Sequence, residues 1–218
     1  MRLQEHIIRE QIGERISDEL SRKRQRLLRE ESQLNIADAV VSPEVRQVLL
    51  DAASLLKDEK VAVIGGIALG AYAQPRYTED VDLILATEHL PQVMEALKPK
   101  FKKISDHAME HKKTGAVVEL VDPDFIGIDP KLVDSAIADA ARHEIGSSSL
   151  GVVTVPYLVA LKLGRASNPK NLKAPIDQGD IMQLLKKHGY QDLSKIPITK
   201  AQRDFYEDLW KRTQETEE

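Results

Sequence analysis

The pattern of apolar and polar positions is most informative between residues 61 and 85, VAVIGGIALGAYAQPRYTEDVDLIL. VAVI is a β-branched run with no polar break, as a buried strand requires. IALGAYA then reads as a short helix and PRYTE as a turn. DVDLIL returns to strand character, and its period of two puts Asp80 and Asp82 on one face. Upstream, Ser42-Pro43-Glu44 is a helix start: a capping hydroxyl, a proline at the first position, then an acid. Inward-facing Val45, Val48, Leu49, Ala52, Leu55 and Leu56 carry that helix to about residue 58.

Downstream, residues 88–98 read as a surface helix and 101–105 as a short strand. Residues 107–121 read as a hairpin turning at Thr114-Gly115, and Asp129-Pro130 opens a helix to about residue 141. Short edge strands are expected at 143–146 and 150–154, followed by helices at 155–166, 177–188 and 199–214. Thr199 caps the last of these, and Phe205, Leu209 and Trp210 anchor it. Apolar positions Leu3, Ile7, Ile12, Ile16, Leu20, Leu27, Leu28 and Leu34 give the charged N-terminal stretch one stripe of a long helix. Strand–helix–strand, then a hairpin, then helices, argues an α+β fold: a small mixed β-sheet with helices on one face and a helical C-terminal part. The expected organisation is an N-terminal charged helical arm over 1–38, a core over 39–154 and a helical C-terminal part over 155–218.

Composition narrows the chemistry. None of the 218 residues is cysteine, which excludes disulfides, thiolate metal sites and cysteine catalysis. The N-terminus has no apolar signal core and no apolar run approaches a membrane span, so a cytoplasmic protein without membrane contact is expected. With a net charge of −4 the chain is no general polyanion binder, and any nucleic-acid contact must be a local patch. Two patches qualify. Arg22, Lys23, Arg24, Arg26 and Arg29 form a basic block in the N-terminal arm, which also suits packing on a second subunit as a homodimer. From Ile145 to Ile176 there is no acid, although the chain has 35, while Lys162, Arg165, Lys170 and Lys173 are present; this suggests a cationic wall.

Asp80 and Asp82 repel one another when bare. A divalent cation relieves that cost, and oxygen donors suit Mg²⁺ (or Mn²⁺). Gly65-Gly66, between a strand and a helix start, presents backbone N–H groups as a phosphate cradle. A phosphate cradle beside a carboxylate metal site points to a nucleoside triphosphate with its metal ion. Two other motifs are weaker. His107 and His111 have metal-ligand spacing only on a helix, whereas their surroundings read as strand. VIGGIALG lacks the G-x-G-x-x-G order of a dinucleotide fingerprint.

Gly65-Gly66, a gap over 67–79 and Asp80-Val81-Asp82-Leu83 resemble the signature of the polymerase-β-like nucleotidyltransferases. GGIALGAYAQPRYTEDVDL is similar to the "GG-x-A…R-x-T-x-D-x-D" form of the minimal nucleotidyltransferases and the AbiEii-type abortive-infection group, many from toxin–antitoxin systems. The resemblance implies transfer of a nucleoside monophosphate from an NTP, ATP among them, to a hydroxyl, with pyrophosphate released. It implies Asp80 and Asp82 as catalytic metal ligands, and Arg76 and Thr78 as contacts to phosphate or braces of the loop. A third carboxylate is expected, and Glu119, an acid inside the apolar strand AVVELV, fits best; the family more often has Asp there, and Asp122 and Asp124 are rivals. PYLVALKLGRA resembles the family's L-x-A-x-K helix, which assigns Lys162 to the triphosphate, with Lys173 beside it. LKAPIDQGDIMQLL resembles its K-D-x-x-D helix, where Asp177 and Asp180 would position basic side chains or cap the helix. The implied acceptor is RNA such as tRNA, a partner toxin or antitoxin protein, or a small molecule such as an aminoglycoside. A non-catalytic nucleotide- or partner-binding module of the same fold is the alternative.

Overall fold

The computed structural model describes residues 36–40 and 42–215. The N-terminal helix, its basic block and the dimerisation expected through it lie outside the described residues. After a 3₁₀ turn at Ile36–Ala39, the chain forms α1 (Pro43–Leu55), β1 (Val61–Val63), α2 (Gly65–Tyr72), β2 (Asp80–Leu85) and α3 (Leu90–Leu97). It continues through β3 (Phe101–Lys103), β4 (Ala108–His111), β5 (Val117–Val121), α4 (Pro123–Ile126), α5 (Pro130–Ala138), β6 (Ala141–Ile145) and β7 (Ser148–Val152). It ends in α6 (Val155–Ala166), α7 (Ala174–His188) and α8 (Lys200–Glu215).

The seven strands form one mixed sheet in the order β3-β4-β5-β2-β1-β7-β6. β1 and β2 are antiparallel, because the short α2 and its turn are a compact return. β2 and β5 are parallel, which the intervening α3 and the β3–β4 hairpin allow by carrying the chain back to its starting end. β7 runs parallel to β1 and lies inside the sheet, with only β6 at that edge. The expected edge position of β7 is thus corrected. Gly151 permits the interior position: a Cβ there would stand 3.0 Å from that of Ala140 and 3.5 Å from the Val61 carbonyl oxygen.

β1 is buried at every position and Ile84 of β2 is fully buried, so the centre of the sheet is covered on both faces. A single apolar cluster runs from Ile36 and Ala37, through the sheet, to Tyr206 and Leu209 of α8. Local signals fix the helix starts. The Ser42 hydroxyl accepts from the Val45 N–H. At Thr199 a reciprocal capping box forms: Thr199 Oγ1 accepts from Gln202 N–H, and Gln202 Oε1 accepts from Thr199 N–H.

Candidate active site

Alternation along β2 leaves Asp80 and Asp82 half-buried between fully buried neighbours, Val81 and Leu83. The parallel register sets Asp82 directly beside Glu119 of β5. Carboxylate oxygens of Asp80, Asp82 and Glu119 all lie within 4.8 Å of one another. Three hard oxygen donors at this spacing fit a divalent cation of the magnesium or manganese kind. Thr78 Oγ1 lies 3.1 Å from Asp80 Oδ1 and 3.3 Å from the Asp80 carbonyl oxygen, so its hydroxyl holds that carboxylate on its rotamer. The rivals of Glu119 are engaged elsewhere. Asp122 caps α4 by accepting from Phe125 N–H at 2.8 Å, and Asp124 accepts from the Thr87 hydroxyl.

Gly65 has φ +68°, a left-handed conformation that costs an L side chain about 1–2 kcal/mol. A Cβ there would overlap Asp82 Oδ2 and stand 2.8 Å from Asp82 Cγ. The first glycine is therefore fitted to the Asp82 carboxylate by its lack of a side chain. Ile64 N–H donates to the Asp82 carbonyl at 3.0 Å, locking the turn to β2. Ala68 N–H reaches back to the Ile64 carbonyl at 3.3 Å, and no side chain caps α2. The N–H groups of Gly65, Gly66 and Ile67 thus have no intrahelical acceptor, as an anion cradle needs. Gly66 packs under Thr78 and Arg76; a Cβ on it would lie 3.3 Å from Thr78 Cβ and 3.5 Å from Arg76 Cζ.

A charged network adjoins this site. Lys162 of α6 donates to Asp177 Oδ1 at 3.1 Å and to Asp180 Oδ2 at 2.7 Å. Arg165 grips Asp177 with two bonds, Nε at 2.8 Å and Nη2 at 3.1 Å. Arg76 Nη2 reaches Asp180 Oδ2 at 3.3 Å, tying the loop before β2 to α7. Asp177, Asp180 and Lys162 are buried, whereas 49% of the Arg165 side chain and 37% of that of Arg76 are exposed. Lys173 is exposed beside the start of α7 and takes no part in this network; its own N–H is bonded to Asn171. Arg165 and the Arg76–Asp180 link have no single motif in the sequence. The available signal was the matched spacing of Lys162 with Arg165 on one helix and Asp177 with Asp180 on the next.

Burial pushes Asp82 up from its ordinary 3.8 to about 7; the neighbouring Asp80 and Glu119 charges add to the rise, and Lys162 and Arg165 pull against it. Between about pH 4 and pH 7 the folded metal-free protein therefore keeps a proton that the unfolded chain has lost. This stabilises the fold below about pH 4 and is lost as pH rises to about 7, a contribution on the order of 2–4 kcal/mol. A bound cation removes the penalty. With chelator present, the wild-type melting temperature should fall between pH 5 and pH 8 by more than that of Asp82→Asn, and Mg²⁺ should restore most at pH 8. Identical pH slopes for the two proteins would rule this out.

The histidine pair does not form a metal site. His111 is buried on β4, with Nε2 3.0 Å from Asp51 Oδ2 and Nδ1 2.9 Å from the Thr114 hydroxyl. His107 stacks on Phe125 at 4.5 Å between ring centroids.

Three comparisons bear on this geometry. Residues 47–193 match the family model described as "Nucleotidyl transferase AbiEii toxin, Type IV TA system". Among solved structures, the chain resembles an antigenic nucleotidyltransferase-like protein from Paracoccidioides brasiliensis, with a TM-score of 0.55 and 18% identity over 79% of this chain and 90% of that one. At that identity the likeness is one of fold. A comparison with curated proteins returns no match.

Proposed function

The chain belongs to the AbiEii family of nucleotidyl transferase toxins, and on that footing we propose that it moves a nucleoside monophosphate from an NTP to a hydroxyl of RNA or of a partner protein. The observation that carries this reading is the carboxylate triad Asp80, Asp82 and Glu119 beside the glycine turn that opens α2. Asp80, Asp82 and Glu119 would hold magnesium or manganese, which supplies charge stabilisation at the reacting phosphate and lowers the pKa of the acceptor hydroxyl. The N–H groups of Gly66 and Ile67, together with Arg76, bind and orient the phosphates. Thr78 keeps Asp80 in place. The acceptor oxygen forms a bond to the α-phosphorus, the bond from that phosphorus to the bridging oxygen breaks, and pyrophosphate leaves. Glu119 takes the acceptor's proton. The protein's share is positioning and electrostatics.

RNA or an acidic partner protein suits the exposed Lys170 and Lys173 at the end of the acid-free stretch, which attract anions. A cognate antitoxin is the partner that the family implies. In this reading residues 39–154 are the catalytic core, which includes Arg76, and 155–218 the helical part that adds Lys162 and Arg165. No helix among the described residues is long and apolar enough to cross a membrane. The test is label transfer. The protein is incubated with Mg²⁺ and each α-labelled NTP, with cellular RNA and separately cellular protein as acceptor. Label on either, absent with the Asp80→Ala/Asp82→Ala variant, supports the reading and identifies the acceptor class. No label on either acceptor contradicts it.

A further inference from the structure

The family resemblance gives the triphosphate to Lys162, yet that ammonium is among the least accessible charges at the site, with 3% of its side chain exposed. An ammonium has three N–H donors. Two are spent on Asp177 and Asp180. Each of those bonds shares its acceptor oxygen with an arginine: Asp177 Oδ1 with Arg165, and Asp180 Oδ2 with Arg76. The three cations therefore stand in a row, Arg165–Lys162–Arg76, on two buried carboxylates, with one positive charge in excess. The two ends of the row are half-exposed guanidinium groups and its middle is closed off.

We propose that Arg165 is a triphosphate-contacting residue, presented by its two bonds to Asp177, and that Lys162 is the positioning residue that holds Asp177 and Asp180 together. Arg165 commits Nε and Nη2 to Asp177, which fixes the plane of the guanidinium and leaves Nη1 outside that pair. A guanidinium held flat in this way suits phosphate oxygens, with little side-chain entropy left to lose. Arg76, at the other end, lies over Gly66 at the first turn of α2, where the backbone cradle begins. A polyphosphate reaching from that turn along the row meets Arg76 first and Arg165 last. The inference rests on the reading of the site as an NTP site.

The experiment measures binding without acceptor by calorimetry, using Mg·ATP, Mg·GTP, Mg·CTP and Mg·UTP singly, then the monophosphate of the base bound most tightly. Wild type should prefer the triphosphate, and Arg165→Met should weaken triphosphate binding ~10-fold or more while changing monophosphate binding less than ~2-fold. A merely structural role would weaken both alike. Should Arg165→Met fail to fold, Arg165→Lys, which keeps Asp177 partnered, carries the same comparison and should show a smaller loss confined to the triphosphate. Wild-type preference unchanged in the variants overturns the proposal alone. Wild-type protein that binds the triphosphate no better than the monophosphate overturns the NTP reading as well. Lys162→Met should lower the melting temperature most, as two buried aspartates lose their shared partner; a melting temperature equal to wild type would overturn its positioning role.

Discussion

Asp80→Ala and Asp82→Ala each abolish nucleotidyl transfer, with an expected loss of ~10³-fold or more, and leave the protein folded. The two parts of this expectation have one cause. The three carboxylates stand within 4.8 Å of one another without a compensating charge inside the triad, so in the absence of metal they repel. Removing one relieves repulsion and, in the proposed reaction, removes a metal ligand in the same step. Melting temperature in chelator should therefore hold or rise in Asp82→Ala while the rise on adding Mg²⁺ disappears. Separate assays of melting and of label transfer check the two halves. Unfolding of both variants in chelator would mean that the carboxylates are structural. Full activity in both would remove them from the chemistry.

Gly65→Ala is expected to be the most damaging single change at the glycine turn. It places a Cβ in a left-handed conformation and drives it into the Asp82 carboxylate. Conformational strain and overpacking together predict a loss on the order of 2–5 kcal/mol, or roughly 5–15 °C in melting temperature. Activity should fall ~10²-fold or more even where the protein is folded, because displacing Asp82 by a fraction of its own size spoils the metal ligand set. Gly66→Ala is the internal control. Gly66 has no positive φ, its added Cβ would meet Thr78 at 3.3 Å, and helical alanine offsets part of any cost. A Gly65→Ala protein with wild-type melting temperature and activity would show that the turn tolerates a side chain and that its link to Asp82 is not functional.

Local chemistry made most of this architecture readable from the chain. β2 has the bounds that the alternation of DVDLIL gives, and α6 runs from Val155 to Ala166 as its apolar pattern predicts, with Pro156 at its start. The same-face placement of Asp80 and Asp82 follows from the period of two alone. What the chain conceals depends on contacts distant in sequence. β7 has only five residues, two of them serine and one glycine, which read as an edge strand; the sheet interior claims it through its pairing with β1. The short α4 has only four residues, and its capping Asp122 has the chemistry of a metal-ligand rival to Glu119, although Asp122-Pro123 is itself a helix start. In α8 the aromatic that is fully buried is Tyr206, whose hydroxyl donates to the Gln191 carbonyl, while Phe205 is only partly covered. Arg76 and Asp180 are 104 positions apart, and no local pattern pairs them.

The measurement that tests the central claim most directly is the fate of two labels in one reaction. The protein is given Mg²⁺, the acceptor identified by label transfer, and an NTP labelled either on the α- or on the γ-phosphorus. Attack at the α-phosphorus predicts α-label on the acceptor and γ-label recovered in pyrophosphate, in equal amounts, with both lost in Asp80→Ala/Asp82→Ala. γ-Label on the acceptor, with α-label left in a soluble diphosphate, would make the reaction phosphoryl transfer and contradict the account.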